Sequence, residues 1–173
     1  YTWRYDANRN VTRFIEKLNG SSWITDYVYN ENNRLTDTTY SYGSRASKTS
    51  WKYDEYGRLF ERDVFDNAVQ IFDTIYTFIN PDTSYTSNQI YTVRNKRHTA
   101  GGYDKTLTYQ YDGNGNIASI SDGVNIVSYK YDTANQLVRE NNQRAGKTWT
   151  WIYDAGGNIR QKNEYSYTTA DVL

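Results

Sequence analysis

The chain has 173 residues, with 20 Lys plus Arg balanced by 20 Asp plus Glu, no cysteine, one histidine, one proline and 19 tyrosines. Without cysteine there are no disulfides, thiolate metal sites or cysteine nucleophiles, and a lone histidine cannot build the clusters that most catalytic metals use. Zero net charge offers no general attraction to nucleic acid or to an acidic membrane surface, and no apolar run is long enough to span a bilayer, so neither partner is expected.

Tyr, Trp and Thr, which fit a half-buried pleated surface, stand where helical sequences carry Ala, Leu and Met, and an all-β chain is predicted. The first element carries Trp3 and Tyr5, whose spacing of two puts both rings on one face of a strand. Tyr5-Asp6 then opens a polar link, and Val11 opens a returning strand that ends at Asn19-Gly20, a pair suited to a two-residue hairpin. The cycle restarts with Tyr27, Tyr29-Asn30 and Leu35, turns at Tyr42-Gly43-Ser44, and restarts again with Trp51, Tyr53-Asp54 and Leu59.

Residues 60–104 form a divergent repeat with a longer loop. Tyr76-Thr77-Phe78 keeps the spaced aromatics, while Ile79-Asn80-Pro81-Asp82 replaces the usual link. Ser87 to Val93 reads as the returning strand, followed by a basic loop through Arg94, Lys96, Arg97 and His98, and Tyr103-Asp104 reads as accidental because no aromatic precedes it at the right spacing. The cycle then resumes with Tyr109, Tyr111-Asp112 and Ile117, with Tyr129, Tyr131-Asp132 and Leu137, and with Trp151, Tyr153-Asp154 and Ile159. Asp122-Gly123 and Ala145-Gly146 mark the intervening turns.

Every copy therefore has an aromatic two residues before the Tyr and an aliphatic six residues after it, joined by a polar or Gly-rich link. About seven copies of two antiparallel strands predict an up-and-down meander of tandem β-hairpins with roughly 12 to 15 strands, residues 1–173 forming one segment. Each Asp or Asn is expected to accept backbone N–H groups within its own turn, with the Tyr ring packed against the next repeat. Two residues past the aliphatic come Arg13, Asp37, Glu61, Ser119, Arg139 and Gln161. Strand alternation places these on the aliphatic's own face, which predicts a sheet polar on both sides that lines water instead of sealing a dry core.

Copies such as Trp51-Lys52-Tyr53-Asp54-Glu55-Tyr56-Gly57-Arg58-Leu59 and Tyr109-Gln110-Tyr111-Asp112-Gly113-Asn114-Gly115-Asn116-Ile117 resemble the YD repeat, also called the RHS repeat. The resemblance covers nearly the whole chain and is weakest from about 60 to 104. It implies a curved, spiralling sheet that forms part of a hollow shell, as in bacterial Rhs and wall-associated proteins, the cocoon subunits of Tc toxins, and teneurins. It further implies a secreted or cell-surface bacterial protein whose shell encloses a C-terminal, toxin-like polypeptide. The family's Asp-Pro core region and self-cleaving aspartates have no match here, so neither cleavage nor toxicity is carried over.

Three rival readings weigh less. Glycan binding would use the flat faces of Trp3, Trp51, Trp149 and Trp151, which instead occupy the repeat's packing positions. Glycoside hydrolysis needs two carboxylates in unlike environments, whereas recurrent turn carboxylates are alike, so no enzyme is expected. Asp112, Asn114 and Asn116 alternate as in oxygen-ligand loops but lack the EF-hand's closing Glu, and neither a metal nor a cofactor is expected. Beginning at Tyr1 in mid-pattern, the chain reads as a piece of a larger protein, whose open strand edges would pair with flanking repeats or with other copies.

Overall fold

The computed structural model describes residues 1–78 and 87–168, so the Ile79-Asn80-Pro81-Asp82 link lies outside the described residues. Described residues form strands and turns with no helix. The strands are β1 (Thr2–Tyr5), β2 (Val11–Leu18), β3 (Ser21–Tyr29), β4 (Leu35–Tyr42), β5 (Arg45–Tyr53), β6 (Leu59–Asp66) and β7 (Val69–Thr77). After them come β8 (Thr92–Arg97), β9 (Asp104–Tyr111), β10 (Ile117–Ser121), β11 (Ile126–Tyr131), β12 (Leu137–Asn142), β13 (Lys147–Tyr153) and β14 (Ile159–Ser166). Neighbours in the chain are neighbours in the sheet from β1 to β14, which is the antiparallel meander the repeat predicts. Two compact units are distinguished, Tyr1–Thr77 with Val93–Lys105, and Phe78–Thr92 with Thr106–Leu173.

In the first unit the short turns carry the meander. Asn19 and Gly20 have φ of 50° and 78°, and Asn67 and Ala68 have φ of 45° and 68°. Positive φ at both central residues gives a two-residue turn whose twist matches the flanking strands. The β6–β7 hairpin is built on Asn67-Ala68, with no Gly to mark it in the sequence, and unlike the β2–β3 and β4–β5 hairpins it carries one extra residue, between the Val64–Phe72 and Phe65–Gln70 pairs. Arg94, Lys96 and Arg97 differ from expectation by lying in β8, where Arg94 pairs with Asp104 at the start of β9. Arg94 is thus paired across strands while Arg97 donates to Thr99, and the returning strand starts at Thr92, later than Ser87.

A bulge in each repeat corrects the expected face pattern. Tyr53 sits opposite Leu59 but Lys52 sits opposite Glu61, so one extra residue intervenes in β6. The same shift occurs between Arg4 and Tyr5, Val28 and Tyr29, Lys130 and Tyr131, and Ile152 and Tyr153, and within β10 between Ile117 and Ser119. Cross-strand partners share a face, and an extra residue reverses the alternation beyond it. Arg13, Asp37, Glu61, Ser119, Arg139 and Gln161 therefore lie opposite Arg4, Val28, Lys52, Gln110, Lys130 and Ile152, on the face turned away from the repeat aromatics.

The two faces are thus unlike. One carries the Tyr and Trp of each repeat, with Trp3 stacked on Phe14 at 4.2 Å and Trp23 on Tyr42 at 5.1 Å between centroids. The other carries ion pairs such as Arg13–Asp26, Lys48–Asp37 (2.7 Å) and Lys52–Glu61 (2.7 Å). No hydrophobic side chain is fully buried among the described residues; the buried ones are polar, namely Asp63, Asp73, Thr74, Asn141 and Thr148. Stability must then come from the backbone ladder, from cross-strand pairs contributing about 0.2–1 kcal/mol each, and from the contacts between repeats.

Candidate functional site: the repeat junctions

Each Tyr-Asp pair enters a turn of one design. Asp6, Asn30, Asp54, Asp112, Asp132 and Asp154 donate their N–H to the carbonyl four residues on and accept, at their own carbonyl, the N–H three residues on, all at 2.9–3.1 Å. That third residue is Arg9, Asn33, Gly57, Gly115, Asn135 or Gly157, with φ between 57° and 86°. A type I turn followed by a left-handed residue produces a bulge at the strand end, which explains the face reversal. Gly or Asn tolerates that φ, so the links are rich in both.

The side chain locks the turn. Oδ1 of Asp112 accepts N–H bonds from Asn114 and Asn116, both at 2.9 Å, and Oδ1 of Asp132 accepts them from Ala134 and Gln136 at the same distance. Asn30, Asp54 and Asp154 repeat the arrangement at 2.9–3.0 Å. Asp6 accepts from Asn10 at 2.8 Å. At Asp6, Asp54, Asp112 and Asp154 these bonds favour the ionised form. The Asn116 amide and then the backbone N–H groups hold the Asp112 carboxyl below its ordinary value, and the Asn10 amide does so for Asp6. Partial desolvation raises Asp54, but the Arg58 N–H and guanidinium outweigh it and the net shift is downward.

The Tyr reaches backwards. Hydroxyls of Tyr53, Tyr131 and Tyr153 donate to the carbonyls of Leu35, Ile117 and Leu137, the aliphatics of the preceding repeat, at 2.9, 3.0 and 2.7 Å. The expected contact with the following repeat is therefore reversed in direction. Burial pushes the Tyr111 and Tyr131 hydroxyls above their ordinary pKa, which keeps them as donors. Tyr5 and Tyr29 occupy the equivalent places on β1 and β3, Tyr5 being 60% exposed.

Tyr111 uncovers residues that sequence reasoning missed. Its hydroxyl donates to the Ile90 carbonyl at 2.9 Å, so Ile90 takes the aliphatic's part between Leu59 and Ile117. Gln89, just before Ile90, lies against Gly115 as Gln136 lies against Gly157 and Arg34 against Gly57. The amides of Asn10 and Asn116 likewise donate to Asn33 and Asn135 in the next turn, at 2.9 and 2.8 Å. The signal was present as a polar residue directly before an aliphatic, without the Tyr-Asp that advertises it elsewhere.

A second cluster has no repeat signature. Asp63 and Asp73 are cross-strand partners, 4% and 6% exposed. Asp63 is met by Gln70 (2.8 Å) and Lys52 (3.1 Å), and Asp73 by His98 (2.6 Å). Oδ1 of Asp73 has no hydrogen-bond partner among the described residues. Those residues also contain no group of three or more His, Asp or Glu arranged to hold a metal, and no helix able to cross a membrane.

No protein-family model matches the chain, and no curated protein matches it. Among solved structures it is similar to TcdB2-TccC3 (TM-score 0.48) and to TcdB2-TccC3-Cdc42 (TM-score 0.46), in each case with 17% identity over 84% of this chain. This chain spans 9% of the length of those chains.

Proposed function

We propose that the chain is a non-catalytic wall segment of a YD-repeat shell, one part of a larger secreted or cell-surface bacterial protein that encloses its own C-terminal polypeptide. The observation that carries this reading is the two-faced sheet with no buried apolar side chain among the described residues, joined repeat to repeat by tyrosine hydroxyls and turn amides. Such a sheet holds its form through neighbour contacts alone and leaves a wet, ion-paired face, which suits a wall beside water. The turn carboxylates are occupied by N–H groups of their own links, so the chemistry they support is structural. Residues 1–173 form one segment of about seven repeats in this reading, its partners being the flanking repeats and the enclosed polypeptide.

A glycan-binding role has less support. Trp3 is stacked on Phe14, Lys162 lies 5.5 Å from the Trp151 ring, and Trp149 donates to Glu164, so three of the four candidate platforms already have partners. The shell reading is tested by limited proteolysis of the parent protein. A C-terminal polypeptide resistant in the native chain and digested after Tyr131→Ala and Tyr153→Ala loosen the wall supports enclosure. Equal digestion in both removes it.

A further inference from the structure

One repeat position that is neutralised in the first unit is left positive in the second. Arg4 of β1 lies opposite Arg13 of β2, and Arg13 in turn lies opposite Asp26 of β3, whose carboxylate accepts two of its guanidinium N–H groups. The equivalent residues on β11, β12 and β13 are Lys130, Arg139 and Thr150, again directly opposite one another. Two like charges in cross-strand register repel, and the carboxylate that relieves them in the first unit is here a hydroxyl. No other strand carboxylate replaces it: Glu140 and Glu164, the acidic residues of β10 to β14, both lie opposite Trp149 on the aromatic face. Lys130 is exposed, and its side chain has no hydrogen-bond or ion-pair partner among the described residues.

On the side away from Lys130, Arg139 borders a groove of about 340 Å³ lined also by Thr148, Thr150, Tyr165, Ser166 and Thr168. The Thr148 hydroxyl is spent on Asn141, which leaves those of Thr150, Tyr165 and Ser166 to meet a ligand. The groove lies on the face of the sheet, where further strands paired along the β14 edge would not cover it. We infer that Lys130, Arg139 and these hydroxyls bind a tetrahedral oxyanion, a phosphate or sulfate group standing where Asp26 stands against Arg13. The guanidinium meets two oxygens of such a group, the ammonium adds a point charge, and the hydroxyls donate to the oxygens that remain. A carboxylate has only two oxygens to offer and would leave donors unused. Such a site depends on this face alone, whether or not the chain belongs to a shell.

Titration of the full chain with inorganic phosphate at moderate salt, followed by amide chemical shifts, tests the site. Saturable shifts around Lys130, Arg139, Thr150 and Tyr165 are expected, with binding weakened at least about tenfold by Arg139→Gln and less by Lys130→Gln. Thr150→Asp supplies the missing carboxylate, so phosphate binding should vanish while the unfolding midpoint holds or rises, which separates loss of ligand from loss of fold. Lys162→Gln, opposite Trp151 on the other face, should leave binding unchanged. Sulfate should compete with phosphate and acetate should not. Phenyl phosphate binding as tightly as phosphate would mark the ligand as an esterified group on a larger molecule, and its exclusion would mark the free ion. Shifts that do not saturate, that persist in Arg139→Gln or Thr150→Asp, or that acetate reproduces would overturn the site.

Discussion

The two units solve one problem with different chemistry. The first is held by charges: Arg13–Asp26, Lys48–Asp37, Lys52–Asp63, Arg58–Asp54, Arg94–Asp104 and His98–Asp73. The second leans more on amides and hydroxyls, with Asn116 and Asn135 joining turns and Tyr111, Tyr131 and Tyr153 joining repeats beside the ion pairs Arg144–Asp122 and Lys147–Glu164, although the first unit also has the amide link Asn10–Asn33 and the hydroxyl link Tyr53–Leu35. The contrast is sharpest at the buried polar centres on the ion-paired face. The first unit opposes Asp63 to Asp73, whereas the second opposes Asn141 to Thr148, each 2% exposed, and Thr148 donates to the Asn141 carbonyl oxygen. A buried charge needs a partner for each carboxylate, and the first unit recruits Lys52, Gln70 and His98 for that purpose. A neutral pair satisfies itself. The same sheet position therefore tolerates ions only where neighbouring strands supply counter-charges.

Transplanting the charge is the strongest way to break that contrast. Asn141→Asp places a carboxylate opposite Thr148, which can still donate one hydrogen bond but brings no charge. Burying that charge costs about 3 kcal/mol unless Arg139, two residues along on the same face, turns to meet it, so the midpoint of urea unfolding at neutral pH should fall sharply in Asn141→Asp/Arg139→Gln and less in Asn141→Asp alone. The loss should shrink as acid neutralises the new group. A midpoint within experimental error of the parent would show that the second unit's centre is as permissive as the first's.

How much of this was readable beforehand depends on how local the signal is. The turn positions at Asp112 and Asp154 were legible because aromatic, carboxylate and aliphatic recur at fixed spacing within one hairpin. The bulge was not, since reversing the face of Glu61 requires the left-handed residue at Gly57 to be recognised as the end of a type I turn. Ile90 was hidden because its own Tyr-Asp is missing. Asp63, Asp73 and His98 were illegible for another reason: they come from β6, β7 and the residue just after β8, and pair only once the meander has closed. Gly-free Asn67-Ala68 escaped notice because Ala rarely accepts positive φ.

The junction hydroxyls sharpen the comparison at smaller scale. Tyr131→Phe keeps the ring and removes the bond to Ile117, so about 1 kcal/mol of stability should be lost, with exchange of the β10 and β11 amides quickened. Tyr53→Phe removes the matching bond in the first unit, where the Arg34 guanidinium already lies over the Tyr53 ring at 5.7 Å. That second contact survives the substitution, and a smaller loss is expected. Equal losses would mean the cation contributes nothing to the seam.

The turn carboxylates yield the subtlest effect, and the chain contains its own control in Asn30. Oδ1 of Asn30 accepts the same two N–H groups as Oδ1 of Asp112, both at about 3 Å, so a neutral amide can hold this turn. What the carboxylate adds is a dependence on pH. Its folded pKa lies below the ordinary 3.8, so folding favours the ionised form. That contribution is fully present above the unfolded pKa and disappears as pH falls through the folded one. Asp112→Asn removes the titration. At neutral pH the variant should be slightly less stable than the parent, and below about pH 4 the two unfolding midpoints should converge. Parallel curves across that range would mean that the Asn116 amide and backbone N–H groups bind the protonated and ionised carboxyl alike, and the turn would then owe its strength to geometry, as at Asn30.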